Sequence, residues 1–462
     1  MNREVMSLDP VVKSPRSTPG VEKKKRARKA SLAGFLGGTF EYYDFFIYTT
    51  AASLVFNHVF FAPGNPTVAL IQSFAIFGVG YVFRPLGAIL FGHLGDRIGR
   101  RNTLVMTLAL MGASTFIIGC LPTYNQIGWW APLLLTLMRI FQGLSAGGET
   151  AGAASLSLEE SPVGRRAFYP SFTASGINAG IVLASLAFIP VAAMEQEARE
   201  AWGWRIPFLA SFILLIVAYL VRRTLDESQE FQKLQDTKIE TQKSKAPFWL
   251  MLKTHPLPFI IVSLMSVQIL INTYMQSFGL AFGAQIGSVD ASTMLWASVA
   301  GNSVAILSQP LWALLADKIG RKKVFIPGQI LSAIMVYFFF HAVSENNVPM
   351  IFLTTCLITG GTYAATNAIY TSWFAEQFNV KVRYTGLAVS LQVGILIAGF
   401  SPAIGTALVD GDINNWGIAA AVVTVGVVIV LVGSIFARET YRTPIDELGN
   451  DVPLPENHHI PR

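Results

Sequence analysis

Two acids, Glu41 and Asp44, lie three residues apart in the stretch GTFEYYDFFIY, inside an apolar run from Leu32 to Phe56. Three more charged residues sit deep in apolar runs: Arg84, Arg139 and Glu149. A charge at the centre of a membrane helix costs roughly 2.5–3.5 kcal/mol on insertion scales, so such residues pair with one another or line a polar cavity. At about 1.5 Å per residue, Glu41, Arg84 and Glu149 each fall near the middle of a ~30 Å hydrocarbon layer, and Arg139 lies nearer one face. Glu41 and Asp44, at i and i+3, share a helix face. Two close acids in a low dielectric resist being ionised together, and a carboxyl whose protonation follows its exposure is what proton coupling requires. Glu41, Asp44 and Glu149 are the proton-coupling candidates, with Glu41 the first choice. Arg84 is the first choice for gripping a carboxylate, because its planar fork donates two parallel hydrogen bonds. Arg139 is a second such candidate; the competing reading is a static salt-bridge network tying the first, second and fourth helices together.

The elements that must hold these charges are apolar helices. The chain has 462 residues, 52% hydrophobic and 13% charged, against about 25% charged in soluble proteins. Apolar runs of about 20 residues recur along it, which predicts an all-α polytopic membrane protein. Twelve spans are expected, near 32–56, 67–94, 103–121, 132–158, 169–192, 204–223, 256–284, 292–315, 324–343, 349–375, 385–409 and 414–437. The seventh and tenth are long and polar in places. Residues 1–31 read as a basic cytoplasmic tail with no cleavable signal peptide, 224–254 as a charged linker between halves 32–223 and 255–437, and 438–462 as a second tail. Lys and Arg crowd the tails, the linker and alternate loops, which puts both termini inside. The net charge of +6 and the run KKKRARK at 23–29 then mark the cytoplasmic side and a contact with anionic lipid rather than nucleic acid. Cys120 and Cys356 lie in separate apolar runs and read as packing residues. No Cys/His spacing suggests a metal, and no phosphate loop or nucleophile–base grouping suggests an enzyme or a cofactor.

The two halves resemble each other. GHLGDRIGRR (92–101) follows the second span and ALLADKIGRKK (313–323) the eighth, aligning Asp96 with Asp317, Gly99 with Gly320 and Arg100 with Arg321. Glu159 and Arg166 follow the fourth span; Glu376 and Arg383 follow the tenth, again about 220 positions on. Two sets of landmarks at matching places indicate an internal duplication, with a site near the midplane between the repeats. The first half holds the buried charges. The second offers neutral groups in their place, of which Asn272, Gln276, Asn302, Tyr363 and Asn367 are taken as substrate-binding candidates, alongside Gln268, Tyr274, Gln309, Tyr370 and Gln392.

The segment from Gly92 to Arg101 resembles the loop signature of the major facilitator superfamily. Glu41–Phe45, Arg84-Pro85-Leu86-Gly87, Arg139 with Phe141-Gln142-Gly143, Gly147-Gly148-Glu149 and Trp202–Phe208 are similar to the metabolite:proton symporter family within it, closely over spans 1–6 and more loosely beyond. That resemblance implies uptake of a small organic acid such as shikimate, 2-oxoglutarate or citrate by alternating access, by a monomer in a bacterial plasma membrane; its texture is nearest the shikimate-type carriers. It also implies a cytoplasmic latch formed by Gly92, Asp96, Arg97, Gly99, Arg100 and Arg101, with Asp317, Gly320 and Arg321 as its second copy. Gly99 would permit the tight turn, and Asp96 would meet a helix N-terminus or an Arg across the halves. A zwitterionic osmolyte such as proline or betaine is the rival substrate. A receptor on the same fold is the rival of another class, because architecture does not fix function. The short proline-bearing C-terminal stretch has no heptads, which favours a metabolic acid over an osmosensor.

Overall fold

A computed structural model describes residues 19–98, 100–147, 157–159, 161–162, 164–224, 247–379, 382–445 and 447–449. Among the described residues twelve long helices form the bundle. They are α1 (Pro19–Leu54), α2 (Pro66–Ile98), α3 (Arg100–Cys120), α4 (Trp130–Ala146), α5 (Phe168–Ala192) and α6 (Arg205–Thr224). Then come α7 (Pro256–Ile286), α8 (Ala291–Ile319), α9 (Lys322–Ser344), α10 (Val348–Glu376), α11 (Arg383–Val409) and α12 (Trp416–Phe436). Among the described residues, eight helices are long and apolar enough to cross a membrane.

The duplication is visible in the packing. Helix α1 packs on α5 as α7 does on α11; α2 on α4 as α8 does on α10; α3 on α6 as α9 does on α12. The halves meet through α2 with α11 and α5 with α8. Close seams depend on missing side chains. A Cβ at Gly143 would strike the Gly80 carbonyl, and one at Gly147 the Arg84 carbonyl. Small residues here let the α4 segment approach α2 closely; Gly148 and Glu149 lie outside the described residues.

Three segments differ from expectation. Helix α1 begins at Pro19 rather than near 32, so the basic run is helical; Lys, Arg and Ala are good helix formers, and Ala27 is fully buried. The end of the expected linker is a short helix, Pro247–Thr254, with Met251 buried; residues 225–246 lie outside the described residues. Residues 438–445 and 447–449 are no loose tail but fold against the end of the bundle that carries the basic loops: Leu448 is buried, and the Arg438 carbonyl accepts hydrogen bonds from Trp373 (2.8 Å) and Gln377 (3.0 Å).

That end is sealed by the repeated landmarks. Arg166 lies 3.8 Å from Glu376, and Arg383 lies 3.7 Å from Glu159. Each arginine therefore meets the acid of the opposite half. Arg321, fully buried, donates to Asp317 (2.8 Å) and through two nitrogens to Glu376 (3.2 and 3.4 Å). Burial opposes the charge of Arg321, but Glu376 and Asp317 outweigh it and raise its pKa above the ordinary value. Asp317 also accepts the backbone N–H groups of Ala167 (3.0 Å) and Phe168 (3.1 Å) at the start of α5, the N-terminal contact expected of this loop acid. Gly320, at φ +109°, makes the turn that only glycine adopts readily. Glu439 accepts from the backbone N–H groups of Arg321 and Lys322 at the head of α9 (2.9 Å each). Thr440 donates to Glu376, while Arg166 donates to the Thr440 and Tyr441 carbonyls (3.0 and 3.1 Å). The first copy of the loop runs as helix through Ile98 and resumes at Arg100. The placement of Gly99, and the side chains of Asp96, Arg97, Arg100 and Arg101, lie outside the described residues, as do side-chain details at Gly92.

At the opposite end α1 is tied to α7. Ser53 donates to the Ser277 carbonyl (3.0 Å), and Gln285 donates to the Ser53 and Leu54 carbonyls (3.2 and 3.1 Å). Contacts between the halves thus flank the centre at both ends.

Glu376→Ala leaves two buried guanidiniums facing each other, and removing one member of such a cluster costs about 3–5 kcal/mol. A clear fall in the thermal midpoint of the purified protein is expected; an unchanged midpoint would show that the cluster does not hold this end. Gly143→Val is expected to abolish monodisperse protein in size-exclusion chromatography, whereas Gly417→Ala, with nothing near its added methyl, leaves the profile unchanged.

Candidate functional site

The centre of the bundle is organised by two buried arginines and one ring. Arg84, 3% exposed, comes from the middle of α2. Its Cζ lies 4.6 Å from the ring centroid of Phe45 on α1 and 4.8 Å from that of Tyr81, one turn back on its own helix. Arg139, fully buried on α4, lies 4.7 Å from the same Phe45 ring, 4.1 Å from Tyr48 and 5.0 Å from Phe77. Phe45 therefore serves both guanidiniums, each contact being worth about 2 kcal/mol or more when water is excluded. Arg139 does tie α1, α2 and α4 together, but by aromatic faces, the Phe77 carbonyl (3.1 Å) and the Gln142 amide oxygen (2.8 Å). Among the described residues, neither arginine lies within ion-pair distance of an acid.

The two arginines differ in what they leave open. Nη1 and Nη2 of Arg139 are committed, and only its Nε lacks a hydrogen-bond partner. Arg84 keeps two buried donors, Nε and Nη2, without a hydrogen-bond partner. Glu41, 6% exposed, and Tyr42 act electrostatically on Arg84. Tyr370 of α10 interacts with Tyr42, Tyr363, Glu41 and Arg84, and Tyr363 with Tyr42 and Tyr81. The first half's charges and the second half's phenols thus converge on one spot. Asp44, 7% exposed, lies near the Thr115 hydroxyl of α3, and its Oδ1 has no hydrogen-bond partner.

The neutral candidates of the second half fall into two groups. Tyr363 donates to Asn367 (3.2 Å), whose Nδ2 has no partner, and Asn272 likewise has an unpartnered Oδ1. Gln276 and Asn302 meet elsewhere. Ser298 donates to Gln276 Oε1, Asn302 donates to the Ser298 carbonyl (2.8 Å), and Ser185 of α5 lies 3.2 Å from Ser298. Gln276, Ser298 and Ser185 line a cavity between the halves together with Phe46, Thr50 and Thr359. Phe46 stacks on Tyr42 at 6.0 Å, so one aromatic layer separates this hydroxyl-lined cavity from the Arg84 centre. Gln268 accepts from Thr366 (3.1 Å), Gln309 from Ser175 (3.2 Å), and Gln392 donates across the halves to the Gly147 carbonyl (3.0 Å). Tyr274 packs against Gly405.

Backbone irregularity does the aiming. Helix α7 widens into π-type turns at Met275–Gly279 and Phe282–Ile286, and α10 does so at Cys356–Thr362. Gln276 lies inside one such segment and Tyr363 just after another. Such turns shift the side chains that follow off the regular helical register and are frequent at functional sites.

Tyr81, Thr115, Gln142, Ser185 and Ser298 belong to these clusters without having been singled out for a role. A neutral residue in an apolar run carries no insertion penalty large enough to flag it. The available signal was spacing: Tyr81 precedes Arg84 by three residues, and Gln142 follows Arg139 by three, each one turn away on the same face.

Comparison with known proteins agrees with this architecture. Residues 30–251 match the family model described as sugar (and other) transporter, and residues 288–455 match that of the Major Facilitator Superfamily. The chain is 34% identical over 438 residues to the shikimate transporter of Escherichia coli (strain K12), covering 94% of this chain and 100% of that protein. It is 30% identical over 434 residues to the proline/betaine transporter of the same strain, covering 91% and 85%. The solved proton:xylose symporter XylE of E. coli, bound to 6-bromo-6-deoxy-D-glucose, shares the fold at a TM-score of 0.68 and 17% identity, over 92% of this chain and 99% of that one. With its duplicated helical bundle and relatives along nearly its whole length, the chain is a multi-pass membrane transporter, not an enzyme, and belongs to the major facilitator superfamily.

Proposed function

We propose that the chain is a proton-coupled symporter that takes up a small organic acid by alternating access. The observation that carries the reading is Arg84: a buried guanidinium between the halves with two donors unpartnered. A carboxylate arriving there would complete both bonds and offset a charge held so far by rings. Tyr363, Asn367 and Asn272 would orient the rest of the molecule, with Gln276 and Asn302 reached through the hydroxyl-lined cavity. Shikimate, 2-oxoglutarate and citrate are of suitable chemistry, and the 34% identity to a shikimate transporter supports the first of these.

Of the coupling candidates within the described residues, Glu41 lies in the field of Arg84 and belongs with the substrate. Asp44 makes no ion pair among the described residues and its Oδ1 has no hydrogen-bond partner, which is the condition under which a buried acid exchanges a proton. Asp44 is assigned the proton. The end closed by Arg166, Arg321, Arg383, Glu376 and residues 438–449 is assigned to the cytoplasm, because positive loops stay inside. Both termini then lie inside a bacterial plasma membrane, and the monomer transports alone, with basic α1 at the lipid headgroups. The likeness to a proline/betaine transporter favours a second reading, a zwitterionic osmolyte whose carboxylate meets the same arginine.

Uptake into proteoliposomes, with and without an imposed pH gradient, tests both readings across shikimate, protocatechuate, 2-oxoglutarate, citrate, proline and betaine. Gradient-driven accumulation of an acid is expected; accumulation of proline or betaine alone selects the second reading. Uptake that ignores both gradient and protonophore would leave a facilitator. Arg84→Lys removes the planar fork, and losing one charged hydrogen bond of about 1.5–3 kcal/mol corresponds to roughly ten- to a hundredfold in affinity. Unchanged apparent affinity in that variant would remove Arg84 from the site.

A further inference from the structure

The rings that hold Arg84 and Arg139 are not equivalent. Phe45, Tyr48 and Phe77 have their ring-to-ring contacts inside the first half. Tyr81 also reaches the second. Its ring centroid lies 4.8 Å from the Arg84 Cζ, and it meets Phe45 edge-on at 5.1 Å. The base of the same ring rests on Gly399 of α11: a Cβ there would come within 2.5 Å of it. The Tyr81 hydroxyl lies 3.5 Å from Thr273 Oγ1 of α7, long for two hydroxyls, which prefer about 2.7–2.8 Å. Both side chains are buried.

The seam at this point is built from both sides. One turn earlier on α2, Gly78 receives the ring of Phe400, the neighbour of Gly399 on α11; a Cβ at Gly78 would lie 2.6 Å from that ring. Each helix lays a ring on a glycine of the other. Neither can slide past its partner without lifting a ring off a backbone. A ring seated on backbone in a close-packed interior passes a push on instead of absorbing it.

We propose that Tyr81 is a positioning residue that carries the occupancy of Arg84 to the seam between the halves. The ring holds the guanidinium through its charge. A carboxylate on the two open donors of Arg84 offsets that charge and loosens the hold. The ring then follows its other partners: the hydroxyl closes on Thr273, and the ring base bears on Gly399. Binding in the first half becomes a displacement of α7 and α11 in the second, independently of any contact the substrate itself makes there.

The inference rests on Arg84 holding the substrate carboxylate, so the test separates the two. Apparent affinity and maximal rate of exchange are measured in proteoliposomes, with the substrate found in the panel, for the unaltered protein, Tyr81→Phe, Thr273→Val, the double variant, Tyr81→Leu and Arg84→Lys. Phenylalanine keeps the ring on Arg84 and Gly399 and loses only the hydroxyl. Its affinity is expected to stay within about twofold while the maximal rate falls roughly three- to tenfold, the effect of one neutral hydrogen bond on a barrier. Thr273→Val is expected to do the same, and the double variant no more than either, because one bond is lost in all three. Tyr81→Leu frees Arg84 from one competitor for its charge. It is expected to bind at least as tightly and to exchange more slowly still. An unchanged maximal rate in Tyr81→Phe, or losses that add in the double variant, would overturn the proposal. So would a Tyr81→Leu protein that loses affinity and keeps its rate, which would make the ring part of the pocket and nothing more. If Arg84→Lys leaves affinity unchanged, the carboxylate reading fails first, and the proposal falls with it whatever the Tyr81 variants show.

Discussion

The structure depends on how a guanidinium can be kept in a layer that rejects charge. Isolated burial of an ion costs several kcal/mol even after relaxation. The chain meets that cost in two ways. At the sealed end Arg321 is matched by two acids and a carbonyl, so its charge is spent on holding structure. At the centre Arg84 and Arg139 are matched by ring faces, carbonyl and amide oxygens. Ring faces neutralise only part of a charge, so Arg84 stays receptive. The distinction between the locking arginine and the two at the centre follows from what each was given as a partner.

Duplication explains why one pattern of landmarks supports both closure and movement. Arg166 and Arg383 occupy equivalent places in the two repeats, and each meets the acid of the other. The seal is therefore made by both halves jointly and parts when they separate. Its strengths are unequal. The Arg166–Glu376 side is buried and reinforced by Arg321 and Thr440, whereas Glu159 is 47% exposed and its pair is weakened by water.

Much of this was legible in the residues. Charges in apolar runs are so costly that Glu41, Asp44, Arg84 and Arg139 announced themselves, and the repeat at Asp96 and Asp317 gave the two halves and the Gly320 turn. What stayed hidden had physical causes. A π-type turn has no side-chain signature, so the re-aiming of Gln276 and Tyr363 could not be read. Glu41 and Asp44 share a face at helical resolution, and only the neighbours contributed by α2 and α3 separate them. Thr115 and Gln142 are neutral and ordinary by composition; only the fold shows that they continue the hydrogen bonds of Arg139. The fold of residues 438–449 was masked by prolines and polar groups that resemble a free tail.

That last segment has a consequence for observation. Glu439 holds the head of α9, Thr440 touches the acid at the foot of α10, and the neighbouring carbonyls receive an arginine from the first half. The segment leaving α12 therefore spans the seam between the halves. If the halves part there during transport, a small fluorophore on Tyr441 or Arg442 would report the parting as a change in brightness, in a protein whose transport helices carry no label at all.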